Sequence, residues 1–119
     1  MNINQLVATL LWSSNDDDGN PLDDGGYDAA EELKTSLAAD FQGFLDSLPE
    51  GFDAEDHYTG SGNVENMLEH DYILTRNHHG AGFWDGDWGK EMGNTLTELA
   101  QRKSEIEPYV GDDGLVYAL

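Results

Sequence analysis

Cysteine is absent from the 119-residue chain, which excludes disulfides, thiolate zinc sites and a thiol nucleophile. Positive charge is scarce: five Lys and Arg stand against 25 Asp and Glu, a net charge of −20. Such a chain repels nucleic acid and anionic membrane surfaces, so neither direct nucleic-acid binding nor a membrane partner is expected. No apolar run approaches the roughly 20 residues of a membrane span. The opening Met1-Asn2-Ile3-Asn4-Gln5 lacks the basic n-region of a secretory signal, so a cytosolic protein is the simplest expectation. A Gly-x-Ser-x-Gly elbow and a phosphate loop are both missing, and nothing calls for a cofactor.

What is present is enough for one domain, residues 1–119, with a modest core. Leu6, Val7, Leu10 and Leu11 repeat at i, i+4 and predict a helix over 4–12, with Asn4 available as its cap. Residues 13–26 read as a polar loop. Ala29, Leu33, Leu37, Phe41, Phe44, Leu45 and Leu48 form an apolar stripe that predicts a helix from Asp28 to Leu48, stopped by Pro49-Glu50-Gly51. Residues 52–63 are acidic and Gly-rich, a loop by composition. A third helix fits Val64 to Leu74, although Tyr72-Ile73-Leu74-Thr75 could equally be a strand. Lys90 to Lys103 reads as a fourth, with Met92, Leu96, Leu99 and Ile106 inward. Two short apolar runs around Gly111-Asp112-Asp113-Gly114 predict a hairpin at the end of the chain. The expected fold is mainly α (α+β): three to four helices packed with a small C-terminal β-hairpin.

Residues 70–89 are the least ordinary stretch. Gly80 and Gly82 suggest positive φ or a close backbone approach, and Phe83 and Trp84 are large enough that at least one should anchor the segment on the core. His70, Asp71, Leu74, Thr75, Arg76, Asn77, His79, Gly80, Ala81, Gly82, Phe83, Trp84 and Asp85 match a motif His-Asp-aromatic-x-Leu-Thr-Arg-Asn-x-His-Gly-Ala-Gly-Phe-Trp-Asp. In this the chain resembles a family of short, largely uncharacterised proteins of tailed phages and prophages. A weaker likeness extends to Leu11-Trp12, Pro21-Leu22-Asp23, Leu96-Thr97 and residues 110–114. Three positions depart: Ile73 where a second aromatic is common, His78 where glycine is usual, and Gly86 where a basic residue often follows. The resemblance implies a phage-type accessory protein that acts early or against host defences.

Three kinds of site are weighed. Asp71, His79 and Asp85 with Arg76 could form an acid/base cluster; the structural alternative is that Arg76 pairs with Asp71 or Asp85, that Phe83 and Trp84 anchor, and that the glycines permit a turn. His57, His70, His78 and His79 with Asp71, Asp85 and Asp87 are ligand types suited to zinc or manganese. No His-x-x-x-His pair places two imidazoles on one helical face, and Asp16-Asp17-Asp18-Gly19-Asn20-Pro21 departs from an EF-hand in its glycine and its twelfth position, so no metal is expected. The third is an acidic surface of Asp16, Asp17, Asp18, Asp23, Asp24, Asp28, Glu31, Glu32, Asp40 and Asp46, with 46–56 as a further acidic loop. Tyr27, Tyr58, Trp88 and Tyr109 are its candidate apolar anchors, with core packing the commoner fate of each. Charge and resemblance together point to an inhibitor of a host defence nuclease complex in the host cytoplasm, anti-CRISPR or anti-restriction. Its carboxylates would stand where phosphates stand on a nucleic acid, and its partner would be a basic, nucleic-acid-binding protein. A small enzyme or metal protein, and a salt-adapted accessory protein, are the other readings.

Overall fold

The computed structural model describes residues 2–15, 19–78 and 81–118. The fold is α+β, with helices α1 (Ile3–Trp12), α2 (Glu31–Asp46), α3 (Ala54–His57), α4 (Val64–Arg76) and α5 (Lys90–Ala100), and strands β1 (Asp28–Ala29), β2 (Pro108–Val110) and β3 (Leu115–Ala118). Two 3-10 turns occupy Leu22–Gly25 and Phe83–Asp85.

α4 is the central element. Leu68, Glu69 and every residue from Asp71 to Arg76 are buried. A helix covered nearly all round shows no one-sided apolar stripe, which is why 72–75 also reads as a strand. Asn63 decides it locally: its side chain accepts from the Asn66 amide at 3.0 Å and starts the helix. α1 lies along α4, and α5 packs on α4 and on the turn at Phe83–Asp85. Asn2, not Asn4, caps α1, accepting from the Gln5 amide.

The expected start of the second helix is corrected. Asp28 and Ala29 are a strand, paired parallel with β3 through Asp28–Leu115 and Ala29–Val116. The Ala30 amide then donates to the Val116 carbonyl at 2.9 Å, so the ladder takes the amides that a helix from Asp28 would leave unpaired. The helix starts at Glu31, and Leu48 lies two residues beyond its end. The hairpin forms as expected, with Tyr109 opposite Tyr117 and Val110 opposite Val116; β1 makes it a three-stranded sheet in the order β1-β3-β2. Residues 54–57, read as loop, form one helical turn because the Asp53 side chain accepts from the Glu55 amide at 3.0 Å. α5 stops at Ala100, short of Lys103.

The core joins these pieces through rings. Phe44 stands 4.8 Å from Tyr72 and 5.8 Å from Phe83, and Phe83 meets Trp88 at 5.7 Å. Val116, fully buried, ties the sheet into the same cluster. No helix among the described residues is long and apolar enough to cross a membrane.

Candidate functional site

The 70–85 motif is built into the fold through the second half of α4 and the segment that follows it. The Asp71 carboxylate accepts from Trp88 Nε1 at 2.7 Å in a buried contact. Burial pushes the Asp71 pKa up, against the lowering effect of that hydrogen bond. The Thr75 hydroxyl, fully buried, accepts from the Phe83 amide at 3.0 Å. A Cβ on Gly82 would stand 2.5 Å from the Thr75 hydroxyl, so this glycine serves a close approach. Asn77 exchanges two hydrogen bonds with Ile106, donating to its carbonyl at 3.1 Å and accepting from its amide at 2.7 Å.

Arg76 does not pair with Asp71 or Asp85. Its Nη1 meets the Asp40 carboxylate at 2.8 Å and its Nε donates to the Ser104 carbonyl at 2.8 Å. The reason is helical: five residues place Arg76 about 140° round α4 from Asp71, so one faces α2 and the other Trp88. Phe83 is fully buried, whereas Trp84 is 40% exposed and Asp85 is exposed. Asp71 and Arg76 thus serve separate contacts, while His79 and Gly80 lie outside the described residues. Among the described residues no group of three or more His, Asp or Glu side chains is placed to hold a metal ion.

The acidic surface is changed in composition. Asp40 is withdrawn from it, held by Arg76 and standing 3.8 Å from Lys103 Nζ. Asp23, Asp28, Glu31, Glu32 and Asp46 are exposed. Asp16, Asp17 and Asp18 lie outside the described residues, as does the side chain of Asp24. Along the exposed flank of α2 the carboxylates stand only at its two ends, with Thr35, Ser36, Ala39, Gln42 and Gly43 between. Of the expected anchors, Trp88 is 1% exposed and belongs to the core, Tyr27 and Tyr58 are half-buried, and Tyr109 is 45% exposed.

A further acidic feature lies at the C-terminal end of α2. A cavity of about 300 Å³ opens between α2, the 52–54 segment and α4, walled by Phe41, Leu45, Leu48, Phe52 and Leu68, with Glu65 and Glu69 at its α4 side. Asp46, Glu50, Asp53, Glu55 and Asp56, each next or close in sequence to a wall residue, are all exposed. Local structure places several of them: Asp53 caps α3, Glu55 and Asp56 fill its first turn, and Glu65 sits in the first turn of α4, where a helix dipole favours negative charge. Glu69 is 2% exposed and accepts from the Asn2 amide at 2.6 Å; burial raises its pKa despite that bond. No Lys or Arg occurs between residues 35 and 75. The result is an apolar hollow with two carboxylates on its wall, in a stretch of chain that carries exposed carboxylates and no Lys or Arg.

Comparison with family models, curated proteins and solved structures finds no match to the chain.

Two signals for this site were available in the sequence. Phe52 is a large apolar residue inside an acidic segment, and such a side chain needs an apolar wall. Seventeen of the 25 carboxylates, but one of the five cations, fall in residues 1–75. The cavity itself needed the packing of α2 against α4.

Proposed function

We propose that the protein is a binding protein that docks its acidic end on a basic, nucleic-acid-binding surface of a partner. The observation that carries this reading is the apolar cavity among exposed carboxylates, in a stretch without Lys or Arg. Interfaces that hold tightly combine an apolar anchor with a polar rim, and charge of one sign speeds encounter with a basic partner. Phe41, Leu45, Leu48 and Phe52 supply the anchor; Asp46, Glu50, Asp53, Glu55 and Asp56 supply the rim. Lys and Arg carry apolar stems below their charges, so a basic side chain fits both parts. The resemblance to phage proteins narrows the partner to a host defence nuclease, a CRISPR effector complex or a restriction enzyme, whose nucleic-acid channel the acidic end would occupy.

Competition with labelled duplex DNA for such a complex, across a salt series, tests this. DNA should be displaced at low salt and retained as salt rises, because screening weakens the attraction. A variant with Asp46→Asn, Glu50→Gln, Asp53→Asn, Glu55→Gln and Asp56→Asn should lose tenfold or more in apparent affinity, an order-of-magnitude expectation for several steering charges. Neutralising Glu105, Glu107, Asp112 and Asp113 instead should change it little. No displacement at low salt by the unmodified protein from either class of complex overturns the proposal.

A further inference from the structure

The two carboxylates on the wall of the apolar cavity, Glu65 and Glu69, stand four residues apart on α4. Residues so spaced lie one helical turn apart, about 5–6 Å between their Cβ atoms, and like charges there repel. After burial, the charge of Glu65 also pushes the Glu69 pKa up, offset in part by the Asn2 amide and the amino-terminal charge. No Lys or Arg side chain among the described residues pairs with either: Lys34 goes to Glu31, Arg76 and Lys103 to Asp40, and Arg102 to Glu98. A like-charged pair is thus held at the edge of an apolar hollow without a cation of the chain to balance it.

Glu69 is also fixed in place. The residue is 2% exposed, and its Oε2 accepts from the Asn2 amide at 2.6 Å. Its Oε1 has no hydrogen-bond partner among the described residues and is not sealed off, since the Tyr72 hydroxyl is the one fully enclosed polar side-chain atom left unpaired among them. Oε1 is therefore an oriented acceptor on the wall of a cavity otherwise lined by groups such as Leu45, Leu48 and Phe52. That wall suits a side chain apolar along its length and cationic at its tip. A guanidinium presents N–H groups on several edges of one plane, so it can meet Glu69 and Glu65 together, and it is less strongly hydrated than an ammonium, which favours it beside apolar surface.

We propose that this cavity takes a single arginine side chain of the partner, its guanidinium bridging Glu69 and Glu65 and its stem lying against Leu45, Leu48 and Phe52. The inference rests on reading the acidic end as a docking surface and adds a division of labour to it. The exposed carboxylates attract a basic partner from a distance, while the cavity selects arginine over lysine at one position of that partner. Glu65 and Glu69 are specificity-determining residues in this arrangement, distinct from Asp46, Glu50, Asp53, Glu55 and Asp56.

Butylguanidinium, butylammonium, the bare guanidinium ion and butanol, each titrated at low salt into the labelled protein alone and followed by amide and side-chain NMR shifts, test the inference. Saturable shifts at Leu48, Phe52 and Leu68 are expected with butylguanidinium. Butylammonium, which cannot bridge, guanidinium, which lacks the stem, and butanol, which lacks the charge, should each bind about tenfold more weakly or worse. Glu69→Gln keeps an acceptor for the Asn2 amide and should reduce butylguanidinium affinity about tenfold, the loss of a charge-assisted hydrogen bond. Glu65→Gln, at an exposed position, should reduce it about threefold with folding intact, and it carries the test should Glu69→Gln fail to fold. Absence of saturable shifts with butylguanidinium, binding of butylammonium or butanol as tight as that of butylguanidinium, or affinity unchanged in the folded variants overturns the proposal. No partner is present in these titrations, so the two readings fail separately. DNA displacement without a butylguanidinium site removes the arginine pocket alone, and a butylguanidinium site without displacement removes the nuclease partner alone.

Discussion

At the scale of single residues, Asp71 separates hydrogen bonding from charge. Its carboxylate accepts from the buried Trp88 indole, yet burial makes the ionised form unfavourable and raises its pKa. The acceptor is what the fold needs, and the charge is a cost. Asp71→Asn retains a carbonyl for the indole and should unfold in urea within about 1 kcal/mol of the parent or above it, whereas Asp71→Ala leaves the indole N–H unpaired and should lose about 1–3 kcal/mol. Equal losses in both variants would show that the negative charge itself matters. Arg76 is the converse case: its charge is used, by Asp40, and its position on α4 selects that partner over the two acids nearer in the motif.

At the scale of elements, two helical glycines have opposite roles. A Cβ on Gly43 in α2 would meet nothing within 4 Å, while one on Gly93 in α5 would stand 2.6 Å from the Phe83 carbonyl oxygen. Gly93 thus sets how closely α5 approaches the turn that carries Phe83. Gly43→Ala should stabilise by about 0.5–1 kcal/mol through helix propensity. Gly93→Ala should destabilise by about 1–3 kcal/mol, because the atom it strikes is backbone and cannot move aside cheaply. Urea unfolding of the pair checks this, and a gain at Gly93 would mean that α5 is free to shift. The sheet works by a similar closeness: β1 has two residues, and its pairing with β3 plus the Ala30–Val116 bond fixes where α2 begins.

At the scale of the whole molecule, the net charge of −20 sets how stability responds to solution conditions. Glu69 and Asp71 both have pKa values raised by burial. The folded state therefore binds their protons more tightly than the unfolded state does. The contribution of these two groups to stability is fully present below the ordinary carboxylate pKa, about 4, and is lost as pH rises through the raised values. Relief of self-repulsion acts in the same direction. The melting temperature should rise when pH is lowered from about 7 to about 5, and the rise should be smaller in Asp71→Asn, which removes one of the two groups. Added salt at neutral pH should raise the melting temperature as well, through screening. A fall on mild acidification would mean that ion pairs such as Arg76–Asp40 outweigh both effects.

Composition and local pattern determined much of this protein by themselves. Acidity, the absence of thiol chemistry, the four main helices and the closing hairpin follow from residue counts, apolar periodicity, caps and a Gly/Asp turn, all of which act over a few neighbours. In α4, where burial is nearly all round, periodicity left 72–75 open between helix and strand, and it ran the stripe of α2 through Asp28 and Ala29 because it cannot see a strand eighty-odd residues later in the chain. Only the tertiary structure decided that Arg76 holds Asp40, that Trp88 is core, that Asp40 leaves the acidic surface, and that Phe52 closes a hollow with α2 and α4. Each of these depends on which face of one helix meets another. A buried charge or ring takes the partner that packing brings to it, and the chain's own spacing does not specify that partner.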